Sequence, residues 1–204
     1  MKRLGIFIIT ELNGIVDDYI MFFLSELKKV LDDLIIACIS SSDFKESILR
    51  EYTKSICYLS DSTTYGQAYR EILLKCIKNG VLLNYDEVVL TSDILFGPFF
   101  PLKEMFISMS KRECSYWGIT KREMMVGPDN NIEQSYIDDY FFVLRRGIYT
   151  LDLFRNFCVE GKMREKDLES NFRSTSLNTR EKFMLILKST AKIILRTILI
   201  IVSI

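Results

Sequence analysis

Four groups of oxygen-bearing side chains border short apolar runs, where an α/β sheet would present them to a ligand. Ser92-Asp93 closes the apolar run from Glu87 to Thr91 and is followed by Gly97, Pro98, Phe99 and Phe100. A carboxylate at the end of a buried strand suits a hard divalent ion, Mg²⁺ or Mn²⁺, carried on a diphosphate. The other reading of Asp93 is a turn carboxylate that accepts backbone N–H bonds before the next helix. Asp138-Asp139 precedes the run from Tyr140 to Leu144. Successive strand residues point to opposite faces, so only one of these two acids can face a given cleft, where it would serve as a general base on a hydroxyl. A solvated charge pair at a strand start is the alternative. Thr10-Glu11 and the polar stretch Ser60 to Thr64 each follow a short apolar run.

The chain contains no histidine. That excludes Ser-His-Asp and Cys-His catalysis and His-ligated zinc, and leaves proton transfer to Asp, Glu, Lys, Tyr or Cys. The five cysteines, Cys38, Cys57, Cys76, Cys114 and Cys158, form no C-x-x-C pair. They read as small core hydrophobes rather than as a disulfide framework or zinc site. Lys+Arg and Asp+Glu number 27 each. This neutral balance supplies no electrostatic reason to expect nucleic acid as a partner. No G-x-G-x-x-G follows the first strand and no P-loop signature occurs.

The elements that would position these groups alternate. Leu4 to Ile9, Leu34 to Ile39, Ser55 to Leu59 and Glu87 to Thr91 read as strands; Ser115 to Thr120 and Tyr140 to Leu144 read as two more. Helices are expected from Val16 to Val30, where Ile20, Phe23, Leu24 and Leu27 share one face, and from Ser42-Asp43 to about Tyr52. Further helices are expected from Tyr65 to Lys78, from Pro101 to Ser110, and from Leu151 onward. Strands alternating with helices imply an open, mainly parallel sheet with helices on both faces. In such a sheet ligands bind beyond the carboxyl ends of the strands, which singles out Thr10, Thr64, Ser92 and Asp93.

The expected division is one domain over residues 1–160 and a charged linker with a C-terminal amphipathic helix over residues 161–204. In that tail Lys188, Lys192 and Arg196 interrupt an apolar run at a spacing of four, which puts them on one helix face. A helix lying on an anionic membrane and a terminal helix packed on the domain both fit. The apolar stretch at the N-terminus ends before Glu11 without a small-residue cleavage site, so the chain reads as cytoplasmic, with peripheral contact at the inner face of the plasma membrane through residues 181–204.

Six segments occur in an order that resembles the rhamnan synthesis protein F family of bacterial glycosyltransferases. They are Gly14 to Tyr19, Leu90 to Pro98, Pro101 to Phe106, Tyr116 to Thr120, Gln134 to Tyr136 and Tyr140 to Arg146, and the resemblance covers roughly residues 1–158. It implies a GT-A-like fold that transfers a sugar, rhamnose among the candidates, with inversion, from a nucleotide donor such as dTDP-rhamnose to a surface polysaccharide or lipid-linked acceptor. By this resemblance Thr10, Thr64, Tyr65, Gly66, Ser92, Asp93 and Gly97 would contact the donor. Asp93 would carry any Mg²⁺ or Mn²⁺, Asp138 or Asp139 would be the base, and Trp117, Gly118, Thr120 and Tyr136 would face the acceptor, although Trp117 between Tyr116 and Gly118 also reads as a core residue. Two departures stand out: the stretch Thr63 to Tyr69 lacks the family's Asp, and Gln134 to Tyr136 lacks its preceding His. They motivate the alternative of a truncated or degenerate relative that binds a nucleotide sugar, or a membrane partner, without catalysis.

Overall fold

The computed structural model describes residues 1–10, 16–40, 46–125, 132–137 and 140–160, which form eight strands, six α-helices and one 3-10 turn, Val81–Asn84. The strands are β1 (Arg3–Thr10), β2 (Asp33–Ile39), β3 (Ser55–Leu59), β4 (Glu87–Ser92), β5 (Tyr116–Gly118), β6 (Lys121–Met125), β7 (Ile132–Ile137) and β8 (Phe141–Arg145). The helices are α1 (Asp18–Lys28), α2 (Glu46–Leu49), α3 (Tyr65–Lys78), α4 (Leu102–Ser110), α5 (Arg146–Tyr149) and α6 (Asp152–Glu160).

Six strands form one sheet in the order β3-β2-β1-β4-β8-β5. The β1–β2, β1–β4 and β2–β3 pairs are parallel, whereas β8 runs antiparallel to both β4 and β5. The sheet is therefore mixed but mainly parallel, as the alternating pattern implied. The hairpin β6–β7 makes a second, two-stranded sheet whose strands flank residues 126–131, which lie outside the described residues. Lys121 to Met125 lacks an alternating apolar pattern, so nothing in its composition announces a strand.

Both faces of the large sheet are covered because the middle positions of β1, β2, β4 and β8 are almost all apolar and buried. Ile6 and Ile8 of β1 point into a core built with Ala68, Ile72 and Leu73 of α3 and with Ile148 and Phe154 beyond β8. Phe7 and Ile9, one residue out of phase, point into the opposite core with Phe23, Leu24 and Leu27 of α1 and with Leu102 and Phe106 of α4. Period-two alternation against helical period makes this two-sided burial possible.

Local signals fix the helix ends. Thr64 accepts the Gln67 N–H, and the Thr64 N–H donates to Gln67 Oε1 at 2.8 Å, a reciprocal capping box that starts α3. Asn79 and left-handed Gly80 (φ 66°) end it. The start of the helix expected from Ser42-Asp43 lies outside the described residues, which resume with α2 at Glu46.

At the amino edge of the sheet, buried Glu87 pairs with two arginines: Arg3 Nε lies 2.7 Å and Arg145 Nε 3.1 Å from its carboxylate. Arg145 also donates to the carbonyls of Met109, Arg112 and Cys114, which fastens the end of α4 to β8. Cys38, Cys76 and Cys158 are buried as expected, whereas Cys57 and Cys114 are half-buried. Among the described residues no helix is long and apolar enough to cross a membrane. The expected tail helix, residues 181–204, lies outside the described residues.

Candidate functional site at the carboxyl edge of the sheet

The chain passes from β1 to β2 on one side and returns past it to β4 on the other, so the strand order reverses between β1 and β4. Thr10 is the last residue of β1, and Asp93 directly follows β4. The two sit side by side because β1 and β4 pair in parallel, with Ile8 opposite Ser92, and the Asp93 N–H continues the ladder to the Ile8 carbonyl at 3.1 Å. Tyr65 arrives from a third direction, as the first residue of α3 after β3.

These three side chains meet. The Thr10 amide donates to Asp93 Oδ2 at 2.7 Å and its hydroxyl donates to the same oxygen at 2.9 Å. The Tyr65 hydroxyl donates to Asp93 Oδ1 at 2.7 Å and also touches the Thr10 hydroxyl. Three oxygen contacts thus link two hydroxyls and one carboxylate. Two hydroxyl protons can fill only two of them, whereas a proton on Asp93 would fill the third. The environment pushes the same way: Asp93 is only 8% exposed, and its burial raises the carboxyl above its usual range against the lowering effect of the bonds from Tyr65 and Thr10. Burial likewise raises the Tyr65 phenol, with further contributions from Asp93. Tyr65 is therefore a proton donor at neutral pH and no base.

Tyr19, on the first turn of α1, adds a fourth contact that sequence reading had left without a role. Its hydroxyl donates to the Asp93 backbone carbonyl at 3.1 Å, and its ring lies 5.4 Å from that of Phe96. The only sequence signal was its place at the end of the Gly14 to Tyr19 segment.

The other expected site residues are distributed as follows. Ser92 is buried inside β4. Gly66 is half-buried within the first turn of α3. Gly97 has a φ of 138° and turns the loop beyond Asp93. Thr64 is exposed, but its hydroxyl serves the helix cap, donating to Gln67 Oε1 at 3.0 Å. Gly118 is half-buried and Thr120 exposed at the end of β5. Trp117, expected to face the acceptor, is instead a core residue. It is 3% exposed and its ring lies 5.0 Å from Phe106 in an edge-on contact, because β5 turns that side of the strand under α4. Tyr136 lies on β7. Asp138 and Asp139 lie outside the described residues.

A divalent ion does not fit this arrangement as folded. Both oxygens of Asp93 already accept from Thr10 or Tyr65, and among the described residues no group of three acidic, histidine or cysteine ligands occurs. A hard cation would have to displace Tyr65 and would find one protein carboxylate. A cavity of about 300 Å³ opens away from this edge, between the start of β1, the turn before β2 and α4. Two of its cations, Arg3 and Lys29, are held by Glu87 and Glu26. We therefore place the candidate site at the strand ends, where the topology brings polar groups together.

The fold is a mixed, mainly parallel α/β sheet flanked by helices, and the reversal of strand order between β1 and β4 is where such sheets form a binding crevice. The chain belongs to the rhamnan synthesis protein F family, whose description matches residues 34–176, more than half of its length. That match begins later and runs further than the segments quoted above, so β1 with Thr10 lies before it and part of the tail lies within it. A solved 4-diphosphocytidyl-2C-methyl-D-erythritol synthase resembles the chain with a TM-score of 0.47 at 10% identity, covering 92% of this chain and 100% of that one. The search of curated proteins returned no match.

Proposed function

We propose that the chain is a GT-A-like glycosyltransferase that binds a nucleotide sugar, dTDP-rhamnose being the first candidate, and passes its sugar to a surface polysaccharide or lipid-linked acceptor. The observation that carries this reading is the meeting of Thr10, Tyr65 and Asp93 at the reversal point between β1 and β4, in a chain of the rhamnan synthesis family. Binding clefts of open sheets form at that point because the loops leaving the two strands diverge there.

In this reading Asp93 organises the edge: it ties the end of β1 to the start of α3 and so sets the walls between which the diphosphate lies. Transfer would join an acceptor oxygen to the anomeric carbon while the bond to the nucleoside diphosphate breaks, with its electron pair leaving on the phosphate. Asp138 or Asp139 would take the acceptor's proton. No step is routed through a metal. The reaction would run at the cytoplasmic face, with residues 181–204 as a peripheral membrane contact.

A second reading, a relative that binds nucleotide sugar without turnover, is favoured by one observation. The Asp93 carboxylate is already engaged by three donors, as a structural pin would be. A thermal-shift titration with dTDP and dTDP-rhamnose, followed by a transfer assay with Asp93→Ala as control, separates the two. Binding with turnover that Asp93→Ala reduces supports transfer; binding without turnover supports the second reading; no binding of either nucleotide sinks both.

A further inference from the structure

Beyond Asp93 the chain runs through nine residues, 94–102, without a charge. Three of them are phenylalanines left in solvent: Phe96 is 69%, Phe99 79% and Phe100 82% exposed. A folded domain rarely displays three adjacent aromatic rings without a partner. The rings are also arranged. Tyr19 lies 5.4 Å from Phe96, and Phe96 lies 6.2 Å from Phe99, a continuous strip of aromatic faces. Gly97 makes the strip, since at φ 138° it adopts a backbone that side-chain-bearing residues rarely reach. A Cβ there would come within 3.3 Å of the Phe99 amide. The strip is continuous with the candidate site, because the Tyr19 hydroxyl that begins it is bonded to the Asp93 carbonyl.

We propose that Phe96, Phe99 and Phe100 form the subsite on which the sugar rings of the acceptor glycan stack. This rests on the glycosyl-transfer reading and deepens it by naming where the acceptor binds. The negative face of an aromatic ring attracts the weakly positive C–H groups on the flat face of a pyranose. Phenylalanine offers a hydrocarbon rim with no hydroxyl, which matches a 6-deoxy sugar, whose exocyclic carbon is a methyl group. Membrane contact is the less suited alternative: interfacial segments combine apolar residues with several cations, whereas the strip is bordered by one exposed cation, Lys103, with the acid Glu104 beside it.

The test uses the full chain and three measurements: saturation-transfer NMR with a rhamnose disaccharide, thermal shift with dTDP-rhamnose, and co-sedimentation with phosphatidylglycerol vesicles. The double variant Phe99→Ala/Phe100→Ala removes two exposed rings and leaves the core and the Tyr19–Phe96 contact intact. The expected result is disaccharide binding that weakens about tenfold in the variant, with the nucleotide shift unchanged. Absence of disaccharide binding in the unmodified chain, or equal binding by the variant, overturns the proposal. So does a variant that loses vesicle binding while keeping its disaccharide affinity, which would make the strip a bilayer contact. Ring-dependent disaccharide binding without any nucleotide shift upholds the subsite and defeats the transfer reading alone.

Discussion

Thr10 and Asp93 close upon each other across the ends of β1 and β4, the Thr10 amide and hydroxyl both donating to one carboxylate oxygen, at 2.7 and 2.9 Å. The contact spans 83 residues of sequence. It joins the two strands at the place where, among the described residues, the order of parallel strands turns back, and Tyr65 brings the start of α3 to the same carboxylate.

Removing the Tyr65 hydroxyl tests how firmly that junction is held. Tyr65→Phe takes one hydrogen-bond partner from buried Asp93 and is expected to cost about 1–3 kcal/mol, the range for leaving a buried polar group short of a partner. Urea unfolding followed by circular dichroism measures it, and an unchanged midpoint would show that the bond contributes nothing net.

Asp93 also sets a pH dependence. An acid whose folded pKa lies above its unfolded value holds its proton more tightly when folded. Burial raises Asp93 in this way from a reference of 3.8. Its stabilising contribution is therefore fully present below that reference and is lost as pH rises through the folded value. Relative to Asp93→Asn, the unmodified chain is expected to gain stability as the pH is lowered from 7 toward 4. Parallel stability curves for the two proteins across that interval would show that the carboxyl is not raised.

Glu87 offers a second buried carboxylate with a different role. Its side chain is 2% exposed and pairs with Arg3 and Arg145. Glu87→Ala strands two guanidinium groups in a low-dielectric setting and is expected to cost about 3–5 kcal/mol. A loss below about 1 kcal/mol, the level of a surface ion pair, would mean that water reaches both arginines.

Thiol reactivity reports the packing directly. Burial pushes Cys76 up to about 11 and Cys158 up to about 12, so neither forms appreciable thiolate at neutral pH. Iodoacetamide under native conditions is expected to label half-buried Cys57 and Cys114 first, and Cys38, Cys76 and Cys158 only after unfolding. Peptide mass spectrometry reads the order; early labelling of Cys158 would contradict the packing of α6 against α3.

The proposed membrane contact is separable from the domain. Deleting residues 181–204 is expected to abolish co-sedimentation with anionic vesicles, and salt is expected to weaken it in the full chain. Equal binding by the deletion variant would remove the tail from that role.

Much of the scaffold could be read before any coordinates. Apolar runs bounded by turn residues located β1 to β4, and the 3.6-residue period located α1, because burial against a sheet leaves a simple pattern. The hairpin β6–β7 stayed hidden, since its strands pair with each other and carry no apolar alternation. Trp117 had two readings, core and acceptor-facing, and the structure decides for the core: which side of a three-residue strand faces inward depends on where α4 lies.

From sequence alone came the alternating architecture, the lack of histidine chemistry, the family segments and the prominence of Asp93 at a strand end. These are local or compositional properties, written in neighbouring residues. Only the tertiary structure decided that Asp93 is bound by Thr10 and Tyr65, that Tyr19 braces its turn, and that Phe96 and Phe99 stand exposed beside it. Those relations join residues tens of positions apart, and parallel pairing with crossover helices creates them only when the whole sheet has closed.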